Sequence, residues 1–193
     1  MRSAAALVLV VLAGVAGLTG CTVRVAGTAQ AAPAVARQSA GDAYTDANGR
    51  FALVPPPGWA VDASGAQGTS VVFVDPQPGR SAAGALRANI NVFVATAVAD
   101  LPGTVVGARN ELRAIADYAP TADEPAALAD GTPAHLLGGT FTDPGSGLPL
   151  RNVQLVTVHA GLTIVATGTS LQDAWAGAEP AIRTSLGSLT VSI

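Results

Sequence analysis

Leu150-Arg151-Asn152-Val153-Gln154-Leu155-Val156-Thr157-Val158, followed by His159-Ala160-Gly161 and then Leu162-Thr163-Ile164-Val165-Ala166-Thr167, reads as two β-strands joined by a tight turn. Both segments place apolar side chains at odd and even positions alike, Leu155 beside Val156 and Ile164 beside Val165. A strand with one wet face alternates apolar with polar, so strands that are apolar on both faces belong at the centre of a covered sheet. Everything else in the chain is read outward from this pair.

Upstream, Asp143-Pro144-Gly145-Ser146-Gly147 turns the chain back from a strand over Ala134 to Thr142, and Asp130-Gly131, a good type I′ hairpin dipeptide, turns that strand back from one near Glu124 to Leu128. Further upstream, Ala88 to Ala95 alternates cleanly: Ala88, Ile90, Val92 and Val94 share one face, and Asn89, Asn91 and Phe93 the other. Ser70 to Val74 is a strand stopped by Asp75-Pro76, with Gln77 to Leu86 a loop rich in small residues. Arg50 to Val54 is a short strand ended by Pro55-Pro56-Pro57-Gly58 before Trp59.

Two segments carry the helical period. From Asp100 to about Ala116, Leu101, Val105, Ala108, Leu112 and Ile115 form one apolar stripe that excludes Arg109, Asn110 and Arg113; Asp100 is placed to cap it and Pro102 sits in its first turn. A second helix is expected from Ser170, whose spacing to Asp173 resembles a capping box, with the stripe Leu171, Trp175, Ala178, Ile182 and Leu186, a kink or break at Pro180, and an end at Gly187. Leu189 to Ser192 then reads as a short strand closing the sheet edge. Runs of antiparallel strands with two amphipathic helices predict an α+β fold, a largely antiparallel sheet covered by helices.

Composition narrows the function classes. The chain has 193 residues, 49% of them hydrophobic, yet 40 are Ala and 22 are Gly, so much of the apolar count brings little side chain to a core. All ten cations are Arg, and the net charge of −3 argues against nucleic acid as a partner. One Cys allows neither an internal disulfide nor a cysteine zinc site.

The single Cys has a specific place. After Met1-Arg2-Ser3, Ala4 to Leu18 runs without a polar residue for 15 positions, short of the roughly 20 that a spanning helix needs. It closes on Leu18-Thr19-Gly20-Cys21, which resembles the bacterial lipobox, with cleavage between Gly20 and Cys21 and lipidation of the Cys21 thiol. The expected organisation is a signal peptide over 1–20, a lipidated N-terminus and flexible linker over 21–43, and one domain over 44–193. Two or three acyl chains would hold such a protein firmly on the extracytoplasmic face of the membrane.

Chemical motifs are scarce. G-x-S-x-G, H-E-x-x-H, G-x-x-x-x-G-K-S/T and G-x-G-x-x-G are all missing from the sequence, and no catalytic residue, metal ligand or cofactor is assigned. His135 and His159 are the one pair worth placing: if Thr142 pairs with Leu150, His135 faces Thr157 and His159 lies diagonally adjacent on the same face. Asp75, Asp143 and Asp173 sit beside turns or at a cap, where Asp serves the backbone. Asn89 and Asn91 are read as bonding neighbouring strands, with the lining of a polar face as the alternative. Trp59 and Trp175 are read as core, with a pocket roof as the alternative.

Phe51 to Trp59 (Phe-Ala-Leu-Val-Pro-Pro-Pro-Gly-Trp), Arg87-Ala-Asn-Ile-Asn-Val92, Leu101-Pro102-Gly103 at a helix start, and Gly131-Thr-Pro-Ala-His-Leu-Leu-Gly-Gly-Thr140 together resemble the LpqN/LpqT family of actinobacterial lipoproteins, and more distantly PsbP-like and DcrB-type domains. The resemblance spans Tyr44 to Ile193. It implies an α/β/α sandwich, an extracytoplasmic location and no catalytic residues to carry over; some relatives are associated with acylated trehalose and the traffic of envelope lipids. Two functions compete: a non-catalytic module that binds an acylated envelope molecule or an envelope partner protein, and a hydrolase with a site near His135 and His159. The ligand-binding residues themselves are not assigned by the sequence.

Overall fold

The computed structural model describes residues 42–192; the expected signal peptide with Gly20, the Cys21 lipidation site and the linker up to 41 lie outside the described residues. The chain runs β1 (Tyr44–Thr45), β2 (Phe51–Leu53), β3 (Ala60–Asp62), a 3-10 turn (Ala66–Gly68), β4 (Val71–Ser81), β5 (Gly84–Thr96), α1 (Leu101–Arg113), β6 (Ala119–Ala127), β7 (Pro133–Thr142), β8 (Pro149–His159), β9 (Leu162–Leu171), α2 (Trp175–Gly187) and β10 (Thr190–Val191). Seven strands form one antiparallel sheet in the order β3-β4-β5-β9-β8-β7-β6, and β1-β2-β10 form a small second sheet. As their double-sided apolar pattern requires, β8 and β9 lie at the centre. The fold is α+β, with one helix on each face of the large sheet.

The two faces are built by the alternate residues of the same strands. On one, α2 and the small sheet enclose Phe51, Leu53, Phe73, Ile90, Val92, Leu155, Ile164, Ile182, Leu186 and Leu189 with Trp59 and Trp175. Each of the larger side chains contributes about 1.5–3 kcal/mol by leaving water. On the other, α1 packs Ala108 and Leu112 against Leu137 and Val156, with Leu101, Ile115 and Val165 at the margin. The helix phase read from the sequence is therefore the observed one. Asp100 caps α1 by accepting from the Gly103 N–H at 3.0 Å.

Several boundaries differ from the sequence expectation. Val71 does not lead into a strand stopped at Asp75-Pro76: β4 continues to Ser81 past an irregularity between Val74 and Pro78, and the expected loop 77–86 is largely the arms of the β4–β5 hairpin. Beyond Val74 this strand has no neighbour on its β3 side, so Pro76 and Pro78 forfeit no ladder bond there. Ser170 does not start a helix. It is buried on β9 opposite Arg151, and α2 begins at Trp175 with no side-chain cap. Pro180 does not split α2, because Pro180 and Ala176, whose carbonyl loses its partner, are both on the exposed side, where water replaces the bond. The Asp130-Gly131 turn is longer than two residues: Leu128 N–H bonds the Thr132 carbonyl at 2.9 Å, which lets Leu128 dip into the core. The closing strand β10 joins β2 in the small sheet and does not extend the large one.

Candidate ligand-binding groove

The two histidines are not brought together. The register pairs Thr142 with Pro149, one residue away from the expected Leu150, so His135 faces Val156 and His159 lies on the opposite face of the sheet. A shift of one residue exchanges the two faces of a strand, which is what separates the pair. The turn sets this register: Asp143 Oδ2 accepts from Ser146 N–H at 2.9 Å and Ser146 O–H at 2.6 Å, and Asp143 N–H bonds the Leu148 carbonyl, closing a loop of 143–148. Asp75 likewise serves the backbone, accepting from Gln77 N–H at 2.8 Å.

His135 has a carboxylate all the same. Its Nε2–H donates to Asp123 Oδ1 at 2.7 Å, while Arg109 grips the same carboxylate with Nη2 at 2.6 Å and Nε at 2.8 Å. These two partners hold the Asp123 carboxyl down at about 2, the Arg109 guanidinium being the larger cause. A carboxylate clamped by a bidentate guanidinium is a latch, here tying α1 to β6 and β7. Among the described residues no three His, Cys, Asp or Glu gather where they would hold a metal ion.

The unusual region lies on the other side of α1. Two rows of directly opposed residues cross three strands on the α1 face: Asn91, Thr167 and Gln154, then Asn89, Thr169 and Asn152. Asn89, Asn91, Asn152 and Gln154 are 8%, 9%, 3% and 6% exposed. A buried amide normally finds partners within the protein. Here Asn89 Nδ2–H reaches only the Arg87 carbonyl, at 3.3 Å, and Asn152 Oδ1 accepts from Gly139 N–H at 3.1 Å. The side-chain amides of Asn91 and Gln154 have no hydrogen-bond partner among the described residues, and Asn89, in the second row, lines a groove.

Its walls follow from the elements around it. The Arg109 flank of α1 leans towards β6, so Thr104 and Glu111 lie on the helix flank that faces away from β6. Burial alone pushes the Glu111 carboxyl up, with no hydrogen-bonding or ionic cause beside it. Thr104 Oγ1 is fully enclosed and unpartnered. One wall is the β4–β5 hairpin, where Leu86 packs against the cluster of Phe141, Leu148, Leu150 and Leu171. Beside the rows it forms a pocket of about 360 Å³ lined by Val72, Val74, Pro78, Ala85, Leu86, Arg87 and Asn89. Such an apolar pocket with a few convergent polar groups is the ordinary form of a small-molecule site.

Sequence reasoning noticed Asn89 and Asn91, preferring strand bonding to a polar face, and it missed Gln154, Thr167 and Thr169. The available signal was a polar residue at every second position in three otherwise apolar strands: Asn-x-Asn, Asn-x-Gln and Thr-x-Thr. The strand registers were needed to show that these fall side by side. Trp59 and Trp175, expected in the core, are both buried there on the α2 face.

No protein-family model matches the chain, and no curated protein matches it by sequence. Solved structures do. LpqN of Mycobacterium tuberculosis, described as involved in cell envelope biogenesis, aligns with a TM-score of 0.60 and 17% identity over 79% of this chain and 90% of its own. Cyanobacterial PsbP (CyanoP) of Synechocystis aligns with a TM-score of 0.55 and 17% identity over 86% of this chain and 99% of its own. A Pseudomonas aeruginosa protein of unknown function gives 0.52 and 16% identity over 70% of this chain and 85% of its own. The order of strands, the helix on each face and these alignments agree: this chain has the LpqN/PsbP-like fold.

Proposed function

We propose that the domain is a non-catalytic binding module of the bacterial cell envelope that holds an acylated amphiphile in the groove beside α1. One observation carries the reading: a pocket with apolar walls is lined by Asn89, which belongs to two adjoining rows of nine-tenths-buried amides and their threonine neighbours, poor in partners. Val72, Val74, Pro78, Ala85 and Leu86 suit a hydrocarbon segment, and Asn89, Asn91, Gln154, Thr167 and Thr169 suit its polar head. Leaving such amides without partners costs about 1–3 kcal/mol each where water is excluded, a cost that a ligand's hydroxyl, amide or ester groups remove.

The envelope setting is supported by two independent features, the Leu18 to Cys21 motif and the fold shared with LpqN. In this reading Cys21 carries the lipid anchor, and the linker reaches from the membrane to the domain. Cys21→Ala should then leave the protein unable to partition into detergent after signal removal; partitioning that persists rejects the anchor.

The binding reading is tested by melting the purified protein with single-chain lipids and by mass spectrometry of what co-purifies. Ligand at a hundredfold excess over its Kd adds about 2.7 kcal/mol of stability. The His135→Ala/His159→Ala double variant should keep that response, since neither ring lines the pocket. Ester or glycoside hydrolysis that the double variant loses, with no lipid raising the melting temperature, overturns the reading in favour of an enzyme.

A further inference from the structure

Resting on the groove assigned above, we propose that its occupant is a single-chain anion: one acyl chain against the apolar walls, ending in a carboxylate or phosphate held by Arg87.

The fold leaves few of its cations unengaged. Arg50, Arg109 and Arg183 hold Asp46, Asp123 and Glu179, and the Arg151 guanidinium lies 5.0 Å over the Trp175 ring. Arg80, Arg87 and Arg113 take part in no ion pair among the described residues. Two of those three stand on one face of the β4–β5 hairpin. Arg87 is directly opposite Pro78 and Arg80 directly opposite Ala85, so the two arginines are diagonal neighbours across the strand pair. Like charges in that position repel each other. Asp75, the one acid of β4 and β5, forms no ion pair and instead accepts from the Gln77 N–H at 2.8 Å.

The pocket lies at this pair of strands. Arg87 is its one charged lining residue, Asn89 its one amide, and every other lining side chain is apolar. Arg87 and Asn89 are two residues apart on β5 and share a face. Asn89 Nδ2 gives one hydrogen to the Arg87 carbonyl at 3.3 Å and has a second to give. A guanidinium matches a carboxylate or phosphate with two parallel hydrogen bonds, and such bonds strengthen where apolar walls exclude water. At about 360 Å³ the pocket stands at the lower end of the range for ligand sites, about 300–1,000 Å³, which suits one chain segment and not two.

That arrangement discriminates. An anionic head gains Arg87 directly and Arg80 at longer range. A neutral head meets Asn89 alone. A cationic head is repelled by both arginines.

The full purified chain is titrated calorimetrically at low salt with four single-chain amphiphiles of one chain length, each below its micelle concentration: a fatty acid, lysophosphatidic acid, monoacylglycerol and an alkyltrimethylammonium. Inorganic phosphate supplies an anion without the chain. The two anionic lipids should bind about tenfold tighter than monoacylglycerol, a difference of about 1.4 kcal/mol, and the cation should bind weakest. Added salt should narrow the gap. Arg87→Gln should bring the anionic lipids down to the affinity of monoacylglycerol without moving the melting temperature of the free protein, because Arg87 is exposed and unpaired. Arg87→Lys should restore part of the advantage, since it keeps the charge and loses the two-pronged bond. Arg80→Gln should weaken the anionic lipids by about two- to threefold. Equal binding of anionic and neutral lipids, or an anionic advantage that survives Arg87→Gln, overturns the anion and leaves the groove standing. No binding of any lipid or of phosphate overturns both readings. Phosphate binding as tightly as lysophosphatidic acid keeps the anion at Arg87 and overturns the acyl chain.

Discussion

The two faces of the large sheet are made by neighbouring residues of the same strands, and they end in opposite states. The α2 face is dry: Ile90, Ile164 and Ile182 are 0%, 1% and 0% exposed, and the small sheet seals it from the far side. The α1 face is dry only under the helix, where Leu112 meets Leu137 and Val156. Past the helix flank the same strands present Asn91, Thr167 and Gln154. One helix plus a three-stranded sheet covers a whole face; one helix alone covers part of one. Beyond the helix, β5, β8 and β9 carry buried amides and hydroxyls, and the β4–β5 hairpin forms a pocket that Asn89 lines.

The contrast can be tested by substitution. The largest effect is expected where the α1 face is dry: Leu112→Asp puts an unpaired charge under the helix and should cost about 4 kcal/mol, whereas Arg113→Asp, one residue on and exposed, should stay within about 0.5 kcal/mol. Equal melting temperatures would show that α1 does not seal this patch. Next comes the α2 face, where Gly168 lies directly beneath the Ile182 side chain and leaves no room for a Cβ. Gly168→Ala should destabilise by about 2 kcal/mol in urea unfolding, and Gly168→Ala with Ile182→Val should cost less than the sum of the two single changes.

Smaller stability effects, but larger binding effects, are expected in the groove. Gln154→Leu should move stability by less than about 1 kcal/mol, because it removes an amide with no protein partner, while lowering affinity for a single-chain lipid by about tenfold. A loss of several kcal/mol would mean that this amide is part of the core. The smallest effect belongs to the latch. Asp123 is held near 2 in the folded chain and titrates at the ordinary carboxylate value when unfolded, so its contribution is present above about pH 4 and fades as the pH falls towards 2. With 39% of that side chain exposed the effect is modest, and Asp123→Asn should lower the melting temperature slightly near neutrality, leave it unchanged near pH 2, and so flatten the acid limb of its pH dependence.

How much was legible beforehand depends on the range of the signal. Asp100, Leu112 and Gly187 describe their helices correctly because capping and the 3.6-residue stripe are local. Ser170 and Asp173 imitated a capping box just as locally, yet β9 runs to Leu171 because pairing with Arg151 and Leu150 outweighs a helix start. His135 and His159 failed for a related reason. Their relative position depends on whether Thr142 meets Pro149 or Leu150, and a six-residue loop closed by Asp143 decides that.

By itself, the amino-acid sequence determined the class of the fold, the central position of β8 and β9, the phase of α1 and the lipobox-like motif ending at Cys21. These rest on periodicity and on short contiguous patterns, which survive without knowledge of the partners. Tertiary structure alone decided that Asn91, Thr167 and Gln154 form one row, and that the arms of the β4–β5 hairpin make a wall where a loop was expected. Each of these joins residues far apart in the chain through strand register and helix placement, and a one-residue change in register would have turned the same side chains to the opposite face.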